Sequence, residues 1–92
     1  MSIEKEEKYY VLGFILGSIY RRKVLVCLNN APTSPKNISK LVGIRINHVS
    51  NILKQLCENK LVKCETPNLK KGRVYSVTNK GKESIRLLDK IT

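Results

Sequence analysis

A chain of 92 residues with 41% hydrophobic side chains and a formal charge of +11 is enough for one small domain. A core of that size leaves little room for a deep catalytic cleft, and seven acids with one histidine offer few acid–base or nucleophilic pairings. The first twenty residues set Glu4, Glu6 and Glu7 against Lys5 and Lys8, so the whole basic excess lies beyond them and suits a polyanion. 

Residues 2–8 are charged and are expected to fray. Residues 9–16 are apolar on nearly every side, which suits a helix that buries against more than this small core provides. Gly13 and Gly17 have the GxxxG spacing of closely packed helices. That signal is specific only in membranes, and a helix break explains Gly17 more simply. The apolar run 9–20 is about half a membrane span. It has no small-residue cleavage site of a signal peptide, so a cytoplasmic location and no membrane partner are expected. Ser18 is placed to cap a helix over 19–29, in which Val24, Leu25 and Leu28 have helical spacing. Residues 29–33, with Pro32, read as a loop. Ser34 followed by Pro35 is an N-cap and first-turn pair that opens the next helix.

Residues 38–52 (ISKLVGIRINHVSNI) are the most informative stretch. Ile38 and Val42 lie one turn apart on a short helix. Gly43 supplies a bend where φ > 0 is needed, and Ser39 is small enough to let two helices cross closely. A second helix opens with Arg45 and runs to about Asn59. At about 100° per residue, Val49, Ile52, Leu53 and Leu56 face inward, while Asn47, Asn51 and Lys54 point away, flanked by His48 and Ser50. The period then changes. Residues 61–65 (LVKCE) alternate as a strand, 66–72 (TPNLKKG) form a hairpin loop, and 73–77 (RVYSV) alternate again. In the second strand Val74 and Ser76 share one side, with Tyr75 and Val77 on the other. Thr78 caps a last helix over 79–91 with Ile85, Leu88 and Ile91 along one face. The expected fold is mainly α with a small β-hairpin (α+β), a winged helix-turn-helix in a single domain 1–92. Residues 1–17 form an N-terminal extension for dimerisation, 34–59 the helix-turn-helix, 61–77 the wing and 79–91 the C-terminal helix.

Cys27, Cys57 and Cys64 are odd in number, contain no CxxC pair, and stand at no zinc-finger spacing from His48. Buried reduced thiols are the simpler account than a metal or redox sensor, and no cofactor is expected.

The run from Asn37 to Glu83 resembles winged-helix transcription regulators of the MarR and ArsR type. It is most similar to small archaeal members, with their xxHVSxxLKxLxxxxLV recognition helix and YxxTxxGK ending. The matching positions are His48, Val49, Ser50, Leu53, Lys54, Leu56, Leu61 and Val62, then Tyr75, Thr78, Gly81 and Lys82. The likeness extends over roughly residues 18–88. Asn59 and Lys60 depart from it, the latter where relatives often have glycine. The resemblance implies a homodimer built from terminal helices.

The N-terminal half of a recognition helix enters the major groove, so Arg45, Asn47, His48, Ser50 and Asn51 are candidate DNA contacts. Arg suits guanine O6 and N7, and Asn suits adenine N6 and N7. Ser50, His48 and Lys54 are better suited to phosphate, although Asn and Ser are also ordinary polar surface and a lone imidazole also serves structural hydrogen bonds. Lys70, Lys71 and Arg73 crowd the wing, which can lie in the minor groove; lysines also guard sheet edges. Ser34, Lys36 and Lys40 are placed to hold phosphate at the start of the first motif helix. For Arg21, Arg22 and Lys23, phosphate binding and solvation are equally good accounts. The expected function is sequence-specific binding of double-stranded DNA by a homodimeric transcription regulator that occupies promoters. No enzyme activity is expected, and any small-molecule effector is unknown. The alternatives are a winged-helix protein-interaction module of a transcription assembly and a non-specific DNA-packaging protein.

Overall fold

The structure, a computed structural model, describes residues 5–91. Helix α1 (Lys5–Leu16) begins within the stretch expected to fray, of which residues 2–4 lie outside the described residues. Three of its side chains, Val11, Leu12 and Ile15, enter the core. Its chain breaks at Gly17, and Ser18 caps α2 (Ile19–Asn30) by accepting the Arg21 N–H on its hydroxyl oxygen at 3.2 Å. Helix α2 is the central strut: Val24, Leu25 and Leu28 are buried where α1, α3 and α4 meet.

The turn between α3 (Pro35–Val42) and α4 (Ile46–Glu58) is set by Gly43, whose φ of 81° is left-handed and whose N–H donates to the Ser39 carbonyl at 2.9 Å. Ser39 contributes more than small size. Its hydroxyl donates to the Ile44 carbonyl at 2.5 Å, bridging the turn it was expected only to accommodate. The inward face of α4 is as the spacing predicts, with Val49, Ile52, Leu53 and Leu56 all buried. Lys60 ends the helix at φ 60°, the left-handed position that explains why glycine is favoured there.

Strands β1 (Val62–Cys64) and β2 (Tyr75–Val77) pair antiparallel, Val62 opposite Val77 and Cys64 opposite Tyr75. Both are shorter than the alternating runs, although the Glu65 N–H still donates to the Val74 carbonyl at 2.7 Å. Ser76, the polar residue of β2, is buried beside Val77. Its hydroxyl donates to the Glu65 carboxylate, a partner that makes burial of this polar group affordable. Lys63 approaches the same carboxylate at 3.5 Å. The Ser76 hydrogen bond first, then the Lys63 charge, hold the Glu65 carboxyl below the ordinary carboxylate range, against a smaller opposing effect of burial. A depressed folded-state pKa contributes stability that is present above the unfolded value and is lost as pH falls through the folded one. Glu65 should therefore titrate below a free glutamate in a carboxyl-resolved NMR titration, and Ser76→Ala should raise its midpoint. An unmoved midpoint in that variant would remove the hydroxyl from the account.

Residues 29–33 are not all loop. Helix α2 continues to Asn30, and Thr33 pairs with Tyr75 through two backbone hydrogen bonds of 2.9 and 3.1 Å. This pairing ties the start of α3 to the base of the wing. Thr78 then caps α5 (Asn79–Ile91): its hydroxyl oxygen accepts the Gly81 N–H at 3.1 Å. Ile85 and Leu88 are buried as the spacing predicts, but Ile91 is 60% exposed because the helix runs past the core.

Candidate nucleic-acid interface

Helix α4 starts without a side-chain cap. Arg45 occupies the N-cap position and makes no capping hydrogen bond, and its first turn contains no acid. Backbone N–H groups and the positive end of the helix dipole are thus offered at this terminus. The start of α3 differs: the Ser34 hydroxyl oxygen accepts the Asn37 N–H at 3.2 Å, so one of the backbone N–H groups at the start expected to hold phosphate is already taken by the cap, while the Ser34 O–H can still donate. The Asn37 side-chain amide in turn donates to the Thr33 hydroxyl at 2.7 Å.

Two grooves meet along α4. The larger, about 680 Å³, runs between the start of α3, the side of α4 and the wing; it gathers Ser34, Lys36, Ser50, Lys70, Lys71 and Arg73 over Leu53 and Tyr75. The second, about 510 Å³, lies at the helix-turn-helix corner and gathers Lys36, Lys40, Arg45 and Asn47 with Ser39 and Ile46. No carboxylate lines either groove. Lys36 lines both, so the basic surface continues from the wing to the α3–α4 corner. A continuous, carboxylate-free basic groove beside a bare helix terminus has the electrostatics that attract a phosphate backbone.

The remaining candidates, His48, Asn51 and Lys54, line neither groove and are exposed on α4. His48 sits edge-on to Tyr20 of α2, with ring centroids 5.4 Å apart, so the imidazole has a packing role as well as an exposed edge. Arg73 has a structural share too: its Nε donates to the Leu69 carbonyl at 2.5 Å and closes the wing loop. Gly72, at φ 70°, makes the turn beside it.

The architecture matches solved structures closely in shape. The reduced form of the transcriptional regulator YodB from B. subtilis superposes with a TM-score of 0.75 at 22% identity, covering 99% of this chain and 88% of that one. The homodimeric winged helix-turn-helix DNA-binding domain of Mb0332 from Mycobacterium bovis, a possible ArsR-family regulator, gives 0.70 at 18% identity, covering 99% and 86%. The fold is a winged helix-turn-helix. RV1404 from Mycobacterium tuberculosis gives 0.73 at 16% identity over 92% of this chain, which spans only 61% of RV1404. No protein-family model and no curated protein matches the sequence.

Within this winged helix, two groups escaped the sequence reading. Ile46 lines both grooves and Tyr75 floors the larger one. Ile46 is the first residue of α4, three positions before buried Val49, and could have been found by asking which apolar residue the inward stripe leaves out. Thr33–Tyr75 pairing left no periodic signal. The cysteines are free and half-buried, not buried as expected. Burial pushes the Cys27 and Cys57 thiols up, with neighbouring Cys64 adding to the effect at Cys57. No group of three or more potential metal ligands occurs among the described residues, and none of the described helices is long and apolar enough to cross a membrane.

Proposed function

We propose that this chain is a sequence-specific double-stranded DNA-binding transcription regulator of the MarR and ArsR type, acting in the cytoplasm as a homodimer by occupying promoters. The observation that carries the reading is the continuous groove from the wing through Lys36 to Arg45 and Asn47, basic throughout and set against the outward face of α4. In this reading α4 enters the major groove with Arg45, Asn47, His48, Ser50 and Asn51 towards base edges or backbone. Ser34, Lys36, Lys40 and Lys54 meet phosphate, and Lys70, Lys71 and Arg73 reach the flanking backbone or minor groove. Winged-helix neighbours that are transcription regulators support a binding role over an enzymatic one.

The dimer has its own support. Tyr9 and Leu16 are exposed along one stripe of α1 with Gly13 between them, and Tyr10 stands beside them, a surface no described residue covers. The neighbouring Mb0332 domain is homodimeric. 

Asn47→Ala and Asn51→Ala test the claim of specificity. Each should alter the sequence enriched from a random duplex pool by relaxing one position, at about 1–3 kcal/mol of discrimination, while leaving non-specific binding in place. Unchanged enrichment in both variants would remove base reading by these residues and favour packaging.

A further inference from the structure

Ile46 is 47% exposed, and it is the one apolar side chain that lines both grooves. Its neighbours there are Lys36, Lys40, Arg45, Asn47 and Ser50. The other large exposed apolar groups lie elsewhere. Tyr9, Tyr10 and Leu16 are on α1, Leu69 is in the wing loop, Ile91 ends α5, Tyr20 of α2 packs edge-on to His48 outside both grooves, and Ile19, Val26 and Leu41 line a separate cleft between α2 and α3. A lone isoleucine ringed by cations is poorly placed to join an apolar protein–protein patch, whose core is depleted of charge. Nor does it serve the helix start, because a β-branched residue there gains nothing over alanine in helix propensity.

Resting on the DNA-binding reading above, we propose that Ile46 is a specificity-determining residue that reads the 5-methyl group of a thymine in the major groove. The first turn of a recognition helix is the part that reaches base edges. The thymine methyl is the apolar feature of the major groove, and an isoleucine side chain one position inside the uncapped α4 terminus matches it in chemistry and in place. Arg45 and Asn47 on either side would supply the polar contacts to adjacent bases. The methyl contact then adds discrimination between thymine and cytosine that those donors alone lack.

A thymine-to-uracil scan tests this directly, because uracil keeps the base pair and removes only the methyl. The full chain is titrated by fluorescence anisotropy against a duplex bearing the site enriched from a random pool, with each thymine replaced singly by uracil. At one thymine per half-site, uracil should weaken binding about four-fold, the worth of one buried methyl. Ile46→Ala loses the contact in both half-sites of the dimer, so it should bind the thymine duplex about sixteen-fold more weakly and show no uracil effect, whereas Ile46→Val should keep it. A flat scan with the unaltered protein overturns the proposal, as does a uracil effect that survives in Ile46→Ala. If an enriched site exists but the scan is flat, the methyl contact fails and the DNA-binding reading stands. If no duplex is bound, or no site is enriched, both fall together.

Discussion

Replacing Lys36, Lys70 and Lys71 together by glutamine should lower affinity for duplex DNA by about two to three orders of magnitude per half-site near 0.1 M salt, and should do so for every sequence alike. The estimate follows from counterion release: each phosphate neutralised contributes about 0.9 to the slope of log affinity against log salt. Three lost contacts per chain reduce that slope by roughly 2.7 for each half-site, and so by about 5.4 for the dimer. These lysines are chosen because they line one groove on both of its walls, the α3 start and the wing. All three are exposed, so the substitutions disturb no core packing and the fold should remain intact. Equilibrium anisotropy over a salt series, with circular dichroism to check the fold, measures the effect. A parallel salt slope in the triple variant would mean that this groove does not follow the phosphate backbone. The wing lysines would then be edge guards.

The second large effect concerns stability. Gly81 lies in the first turn of α5, and a Cβ built there would stand 2.2 Å from the Leu61 carbonyl oxygen and 2.6 Å from Val77 Cγ1. The first is backbone and cannot swing aside. Ser84 one turn on is fully buried, so α5 is drawn close to the hairpin along this line. Gly81→Ala must push the helix from the strands, breaking the contact that the Thr78 cap and the Thr78 N–H bond to the Leu61 carbonyl at 3.0 Å establish. Overpacking of this kind costs about 1–3 kcal/mol, and a clash with backbone belongs at the upper end. The gain in helix propensity returns about 1 kcal/mol. A net loss near 2 kcal/mol corresponds to a melting temperature lower by roughly 8–16 °C for a domain of this size. Thermal melts by circular dichroism decide it. An unchanged or raised midpoint would show that α5 can ride outward freely.

What was legible in the sequence was local. Ser18, Ser34 with Pro35, Gly43 and Thr78 each act on backbone within a few residues, so their chemistry announces the ends of helices without reference to the rest of the fold. The inward stripe of α4 was equally legible, because a helix with one buried face must repeat near 3.6 residues. Non-local contacts were not. The Thr33–Tyr75 bridge joins residues 42 apart in a segment with no strand pattern, and only the packing of α2 beneath it brings them together. The burial of Ser76 was not legible either, because it depends on Glu65 across the hairpin. Ile91 continues the apolar spacing of α5 beyond the point where there is core to receive it. The candidate interface divides the same way. Lys70, Lys71 and Arg73 were visible as a basic cluster, but their meeting with Ser34, Lys36 and Ser50 in one groove depends on the pairing of the wing base with the start of α3.

The central claim, that the basic groove and the face of α4 recognise duplex DNA by sequence, is tested most directly by selection from a random duplex pool followed by salt-dependent binding to the enriched and scrambled sites. The account predicts an enriched two-fold symmetric site, steep salt dependence on both duplexes, and tighter binding to the enriched one by about 10³-fold or more. Equal affinity for enriched and scrambled duplexes, or no binding at physiological salt, would contradict it.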